Sequence, residues 1–266
     1  MPCGAASRAT FEDLIAEGDA VPVEGWDFSW FDGRAAEERP RWGYARLLSE
    51  RITRAGAVLD IQTGGGEVLA EAVGSARTAS GAVGPPVLAA TESWPPNLAL
   101  ARNALAQFGG IVIGSADEAD LPFGDSSFDL VVSRHPVDVV WPEIARVLVP
   151  GGRYFSQQIG PGSNRELTDF MMGPQPVGIS RSPQVAVAAA AMAGLDVLDV
   201  REQSLRVDFF DVAAVVHFLR KVLWTVPGFT VARYAEPLAR MHDHIQATGS
   251  FVSYAERFLI EARKPA

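Results

Sequence analysis

Five short apolar runs place the strongest limit on what this chain can fold into. They cover residues 57–61, 87–91, 111–114, 128–133 and 153–157, and segments of helical or loop character separate them. Apolar runs of this length without polar alternation are typical of strands that are buried on both faces. Parallel sheets covered by helices bury their strands in this way. The sequence therefore predicts an α/β fold.

The rest of the chain predicts additions to this core. Residues 1–50 are loop-rich and crowded with aromatic side chains, and the stretch 74–86 is rich in small residues and prolines, which predicts a break in the helix and a surface loop. Further along, 184–192 predicts a helix, 196–209 an edge strand, 211–248 helices broken at Pro227-Gly228, and 251–264 a final strand.

These elements predict a Rossmann-like, mostly parallel sheet of seven strands with helices on both faces. We expect four regions along the chain. They are an N-terminal arm at 1–50, a cofactor-binding core at 51–210, a helical lid insertion at 211–249, and a last strand at 250–266 that completes the core sheet.

Composition excludes several classes of protein. Among the 266 residues, Cys3 is the only cysteine, which rules out a disulfide framework and a cysteine-based zinc site within one chain. No apolar stretch approaches the roughly 18 residues of a membrane span, and the first ten residues do not resemble a signal peptide. The formal net charge is −9, which argues against a nucleic-acid partner. We expect a soluble, cytoplasmic protein without a membrane partner.

The strongest local signal is the segment 58–70, a buried strand that runs into Gly64-Gly65-Gly66 and then into a helix. Glycines permit tight turns and close approach of the backbone to a ligand, and the start of the helix presents unpaired N–H groups. Dinucleotide enzymes and purely structural turns also contain such glycines. The neighbouring segments must therefore decide between these alternatives.

Those segments follow in a fixed order. A carboxylate, Glu92, ends the second apolar run; the third leads into 115–123, and 125–133 is followed by 143–152, which ends in Pro-Gly-Gly. This order resembles the class I S-adenosylmethionine-dependent methyltransferases, whose first turn typically reads Asp-x-Gly-x-Gly-x-Gly. Asp60, Gly64 and Gly66 fill that pattern, and Gln62 stands in place of its first glycine. A glutamine can be accommodated there if the local φ is negative, and the alternative is a lost cofactor site; we expect cofactor binding to be retained.

The resemblance implies a site for S-adenosylmethionine, with S-adenosylhomocysteine as product. Glu92 is expected to accept hydrogen bonds from the ribose hydroxyls and Asp117 from the adenine amino group. The backbone at Ala116 and Glu118 is expected to frame the ring, and Trp94 either covers the adenine or packs its own loop. The other expected cofactor contacts are Asp60, Gln62, Gly64, Gly66 and Ser133.

The acceptor site is predicted beyond the carboxyl ends of the strands, at 133–136 and 157–158. His135 is the candidate general base or acceptor-orienting group, and the alternative is a structural role in the pocket wall. Gln157 and Gln158 should point to opposite faces, and we keep Gln158 as a substrate-binding candidate. Further substrate candidates, each with core packing as the alternative, are Trp42, Tyr44, His217 and Trp224.

The resulting prediction is an enzyme that methylates oxygen or nitrogen of a small-molecule acceptor by in-line transfer, driven mainly by positioning. No metal is predicted, because His242 and His244 lie two apart on a helix and diverge. The sequence leaves a homodimer open. The alternatives are a degenerate methyltransferase fold that binds without turnover, indicated by Gln62, and an RNA methyltransferase.

Overall fold

The structure, a computed structural model, describes residues 9–23, 28–81 and 84–266. Its strands are β1 (Ala35–Glu37), β2 (Ala57–Ile61), β3 (Val87–Glu92), β4 (Ile111–Gly114), β5 (Phe128–Arg134), β6 (Leu148–Ile159), β7 (Asp196–Phe209) and β8 (Phe251–Arg263). Its helices are α1 (Phe11–Ala20), α2 (Tyr44–Ile52), α3 (Glu67–Ser80), α4 (Pro95–Ala106), α5 (Trp141–Val147), α6 (Arg165–Met172), α7 (Pro183–Met192), α8 (Val212–Lys221) and α9 (Ala235–Thr248).

The eight strands of the described residues form one mixed sheet in the order β1-β7-β8-β6-β5-β2-β3-β4. Strands β4, β3, β2, β5 and β6 are parallel to one another. Strand β8 runs antiparallel to β6, and β1 runs antiparallel to β7. The predicted α/β, Rossmann-like class is confirmed. The predicted count of seven strands is wrong, because Ala35–Glu37 adds an eighth strand by pairing with 207–209.

Residues group into two compact units. The larger unit consists of Arg39–Pro161, Gly178–Ser204 and Glu256–Ala266, and the smaller one of Met1–Glu38, Gly162–Val177 and Leu205–Ala255. Strands β7 and β8 continue from one unit into the other. The expected roles of 1–50 as an arm and 211–249 as a lid stay predictions.

The larger unit buries both faces of its sheet. Val58, Leu130 and Phe155 belong to a core cluster that includes side chains of α2, α3 and α4. Leu59 and Val131, each next in sequence, belong to a second cluster with side chains of α5 and α7. Successive side chains of a strand point to opposite faces, so unbroken apolar runs are needed where helices cover both faces.

The smaller unit has a separate core, to which α1, α6, α8 and α9 contribute. Its helices begin at identifiable caps. Thr10 and Asp13 form a reciprocal capping box at α1, and the carboxylate of Asp211 accepts a hydrogen bond from the N–H of Ala214 at α8. On α9, His242 contacts the ring of Phe11.

The expected break in the helix at Gly74 does not occur, because α3 continues through it to Ser80. Ala72, Val73 and Ala76 are buried, and their packing outweighs the cost of about 1 kcal/mol for a glycine inside a helix. The helix ends instead at Gly81, whose φ of 67° is in the left-handed region.

Cys3 and Trp26, which is one of the aromatic residues of the expected arm at 1–50, lie outside the described residues. Within the described ranges, no helix combines the length and the hydropathy that a membrane crossing requires.

Candidate functional site

The glycine turn after β2 is held in left-handed backbone conformations. The φ angles are 57° at Gln62, 66° at Gly64 and 81° at Gly66, and α3 begins directly afterwards. A Cβ at Gly66 would lie 3.1 Å from the Cα of Ala101 in α4, so the turn packs closely against that helix. Both the conformation and the close approach therefore require glycine at position 66.

Gln62 does not have the negative φ that would accommodate its side chain without strain; its φ is 57°, in the left-handed region. Its side-chain amide bridges to the loop that follows β5. The amide nitrogen donates to the carbonyl of Asp138 at 2.8 Å, and the amide oxygen accepts the N–H of Val137. These two hydrogen bonds offset the cost of a non-glycine residue at positive φ, which is on the order of 1 kcal/mol. The side chain thus ties the tips of β2 and β5 together.

Glu92 lies at the carboxyl end of β3 and supports the turn. One carboxylate oxygen accepts the N–H of Gly64 at 2.8 Å, and the other accepts the N–H of Trp94 at 2.9 Å. Burial is the main cause that raises the pKa of Glu92, and these backbone hydrogen bonds oppose it. A carboxylate has about four lone-pair sites, so both oxygens keep capacity for ligand donors.

Asp117 follows β4, the neighbouring strand, and its carboxylate is hydrogen-bonded to the side chain of Ser93. Burial raises its pKa, the charges of Asp138 and Glu118 raise it further, and the bond from Ser93 lowers it. Glu92 and Asp117 are thus brought together at adjacent strand tips, with Ser93 between them.

Asp60, at the end of β2, is the third acid of this cluster. Its carboxylate accepts the hydroxyl of Thr63 at 2.7 Å. Burial raises the pKa of Asp60 to about 7, the charge of Glu92 acts in the same direction, and the hydrogen bond from Thr63 opposes both. Within the described ranges, Asp60, Glu92 and Asp117 form no ion pair. We call these three residues the acid cluster.

Ser133, by contrast, uses its hydroxyl inside the sheet. The oxygen lies 2.7 Å from the hydroxyl of Tyr154 and 2.9 Å from that of Ser156, and the hydroxyl of Tyr44 donates to the Ser133 carbonyl. Ser133 also lines a cavity of about 10 Å³ together with Ile61, Asp117, Asp138 and Tyr154. That volume has room for one water molecule.

His135 is the last residue of a hydrogen-bonded chain of three side chains. The indole N–H of Trp42 donates to the Gln157 amide oxygen at 2.8 Å, and the amide nitrogen of Gln157 lies 2.9 Å from Nε2 of His135. Burial, followed by the charges of Arg134 and Arg257, holds the pKa of His135 well below its usual value. A histidine with this pKa is neutral near pH 7.

The comparisons with known proteins agree with this geometry. Residues 59–156 match a family model described as a methyltransferase domain, which spans β2 to most of β6. These residues therefore resemble a methyltransferase domain. The resemblance to the class I S-adenosylmethionine-dependent methyltransferases is thereby confirmed. No curated protein matches the chain.

Solved structures share the fold of this chain. A candidate methyltransferase from Bacillus halodurans superposes with a TM-score of 0.56 at 17% identity, covering 84% of this chain and 99% of its own. A candidate sarcosine dimethylglycine methyltransferase from Galdieria sulphuraria gives 0.51 at 16%, covering 96% and 98%. The cyclase SpnF gives 0.51 at 17%, covering 96% and 92%. Identities this low show the fold alone.

The other predicted site residues of the larger unit differ in exposure and in the side chains that they contact. Trp94 is 39% exposed, Ala116 and Glu118 are exposed, and Gln158 is buried on the Tyr154 side of β6, opposite to Gln157. Tyr44 stacks on Phe155 at a centroid distance of 5.2 Å. Trp42 and Tyr44 are both members of the core of the larger unit, so each has a packing role whatever else it does.

His217 and Trp224 belong to the smaller unit. The ring of His217 is 1% exposed and lies between Trp30 and Phe31, with both centroids at 5.0 Å. Burial lowers the pKa of His217 to about 4. Trp224 is 51% exposed. The substrate role of both residues stays a prediction.

Sequence reasoning missed three polar residues around the turn. Ser93 directly follows β3 and Asp138 lies in the loop after β5, and a position after a strand end is the signal that identified Asp117. Asn97 is 1% exposed in the first turn of α4, and its amide oxygen is buried without a partner. It lies four residues before Ala101, on the helix face that packs against Gly66. A buried oxygen without a donor normally has a structural or ligand-related reason.

Proposed function

We propose that the chain is an S-adenosylmethionine-dependent methyltransferase that acts on oxygen or nitrogen of a small-molecule acceptor. The acid cluster at the tips of β2, β3 and β4 is the observation that supports this proposal most strongly. Its carboxylates lie around a glycine turn and form no ion pair among the described residues. A ligand that carries hydroxyl and amino donors together with positive charge matches them. A dinucleotide pyrophosphate, which is anionic, does not.

In this proposal two of the three acids, Glu92 and Asp117, have separate partners on the ligand. Glu92 accepts the ribose hydroxyls with the lone pairs that Gly64 and Trp94 leave unused, and Asp117 accepts from the adenine amino group. The backbone at Ala116 and Glu118 frames the ring.

The rest of the turn completes the binding site. Trp94 covers the nucleoside, and Gly64 and Gly66 let the backbone approach it. Gln62, Asp60 and Ser133 form the remaining wall of this proposed site.

Catalysis requires little acid–base chemistry from the protein. The bound cofactor would supply a methyl group on a positively charged sulfur, which is already an activated donor. The chain's own task is to align the acceptor with that methyl group and to exclude water. His135 is the proposed acceptor-orienting group at the tip of β5, and Gln158 a second polar candidate. Acids at the strand tips repel a phosphate backbone, which favours a small acceptor over RNA.

Calorimetry with S-adenosylmethionine and S-adenosylhomocysteine tests the proposal. Glu92→Gln and Asp117→Asn keep the shape of each side chain and remove its charge, so each should weaken binding by about 1–3 kcal/mol, roughly 5- to 150-fold. Asp120→Asn, an exposed acid on the loop of Asp117, is the matched control and should bind as the wild type does. Failure of the wild type to bind either nucleoside would refute the proposal.

A binding protein without turnover is the second candidate, and one observation favours it. Gln62 fills the position of the family's first glycine and bridges to Val137 and Asp138. Nucleoside binding without methyl transfer to any member of an acceptor panel of amines, phenols and carboxylates would support this second function.

A further inference from the structure

Trp42, Gln157 and His135 form a chain in which the donors and acceptors can be assigned without ambiguity. An indole N–H can only donate, so the oxygen of the Gln157 amide must face Trp42. The amide nitrogen of Gln157 then faces His135, and an amide nitrogen can also only donate. His135 Nε2 is therefore the acceptor of this hydrogen bond, and it carries no proton.

A neutral imidazole with a bare Nε2 carries its proton on Nδ1. Nδ1 has no hydrogen-bond partner among the residues that the structure describes, yet it is absent from the set of buried polar atoms that lack one. His135 is partly exposed, so with Nε2 occupied, Nδ1 is the ring nitrogen left to donate to solvent or to a ligand. Nδ1–H is thus the one ring N–H that His135 can offer to a ligand.

The backbone fixes the place of this ring. The N–H of His135 donates to the carbonyl of Gln157 at 2.7 Å, so Gln157 holds His135 through both backbone and side chain. His135 has a φ of 56°, a conformation that costs a non-glycine residue on the order of 1 kcal/mol. Strained residues of this kind persist where surrounding contacts over-determine them, and they cluster at functional sites.

We propose that Trp42 and Gln157 are positioning residues that hold His135 as the Nδ1–H tautomer, so that His135 donates a hydrogen bond to the methyl acceptor and takes no proton from it. This inference rests on the proposed function. Trp42 and Gln157 act only through His135. The charges that face the ring, those of Arg134 and Arg257, also oppose its protonation.

The tautomer restricts the class of acceptor. In the transfer, the bond from sulfur to the methyl carbon breaks, its electron pair stays on sulfur, and a lone pair of the acceptor forms the new bond to carbon. Any proton on the acceptor atom then leaves to water, since His135 does not take it. The acceptor must therefore carry an available lone pair beforehand, as a neutral amine, a ring nitrogen or an ionised oxygen does. It must also offer a hydrogen-bond acceptor to Nδ1–H.

Nitrogen–proton correlation spectra of isotope-labelled histidine report which ring nitrogen carries the proton, without cofactor or turnover. The chain has four histidines, and His135→Asn identifies the signal of His135. We expect Nδ1–H in the wild type. Gln157→Glu replaces the donor by a carboxylate of the same shape, which should draw the proton to Nε2. A wild-type ring with the proton on Nε2, or on both nitrogens near pH 7, would overturn the proposal, whether or not the variant folds.

Turnover of His135→Asn separates an orienting donor from a base. The Asn amide N–H substitutes for Nδ1–H, tolerates a positive φ and cannot take a proton. We expect its kcat within about tenfold of the wild type, the size of one hydrogen bond. A loss of roughly 10²- to 10⁴-fold would indicate a lost general base and refute the inference. If no nucleoside binds, the proposed function fails while the spectra still decide the tautomer.

Discussion

Replacing Gln62 by glycine restores the family's turn and tests whether this side chain binds the cofactor or restrains the loops around it. The substitution removes two hydrogen bonds, to Val137 and Asp138, each with a net contribution of about 1 kcal/mol. It also removes the strain of a left-handed non-glycine residue, which is about 1 kcal/mol. Gln62→Gly should therefore lower the free energy of unfolding by only about 1 kcal/mol.

Gln62→Ala is the matched control, because it loses the same bonds and keeps the strain. It should be destabilised by about 2 kcal/mol, and the difference between the two variants measures the cost of the positive φ. Chemical denaturation with a common slope gives both values. Equal stability of the two variants would contradict the strain argument.

Cofactor affinity of the same variants decides the role of Gln62. The amide bridges the tips of β2 and β5, and the cavity between those strands has room for one water only. A ligand that enters there must break the bridge, so both variants should bind S-adenosylmethionine about 5- to 30-fold more tightly, which corresponds to about 1–2 kcal/mol. Weaker binding in both would show that the Gln62 amide contacts the ligand directly, and would refute the restraint.

Three further predictions follow from burial and charge. Burial raises the pKa of Asp60 to about 7 in the folded state, so the folded protein keeps a proton that the unfolded chain releases near pH 4. Stability is therefore lost as the pH rises between these two values. Asp60→Asn should unfold at a higher temperature than the wild type at about pH 8 and lose this advantage at about pH 4. Gly66→Ala combines positive φ with a contact of 3.1 Å to Ala101 and should cost about 2–4 kcal/mol, whereas Gly81→Ala, at positive φ in open space, should cost about 1 kcal/mol in the same thermal melts. Glu261 is buried and, although burial alone raises its pKa, hydrogen bonds from Arg51 and Arg153 hold the pKa below its usual value. Glu261→Gln should therefore destabilise by about 2–4 kcal/mol at neutral pH, and this loss should shrink as falling pH protonates the wild-type carboxyl.

The sequence predicts the central strands well because their signal is local. An unbroken apolar run such as 128–133 reports burial on both faces, and β5 ends one residue later at Arg134. β1 carries no such signal, since three residues of Ala-Ala-Glu are a strand only through pairing with 207–209. The predicted break of the helix at 74–86 is misplaced for a related reason: α3 continues through Gly74 because its neighbours are buried, and a count of small residues does not show that burial.

The residues of the candidate site also differ in whether their signal in the sequence is local. Glu92 and Asp117 could be found from the sequence because each follows a strand, and parallel strands end at one edge. The positive φ of Gln62 could not be predicted from the sequence, because it depends on hydrogen bonds to Val137 and Asp138, more than seventy residues away in the chain. The link between Trp42 and Gln157 spans a longer separation still.

The two halves of the site impose different requirements on a substrate. As proposed, the acid cluster would select by charge and would distinguish a sulfonium nucleoside from an anionic one without contact to the reacting atoms. The tip of β5 would select by direction, because the proposed tautomer of His135 fixes which ring nitrogen can donate and removes the other from proton transfer. The cyclase SpnF shares this fold, so the fold does not itself determine the reaction. In the proposed function, methyl transfer would depend on the combination of these halves: charge that holds an activated donor, and a donor hydrogen bond that aligns an acceptor already bearing its lone pair.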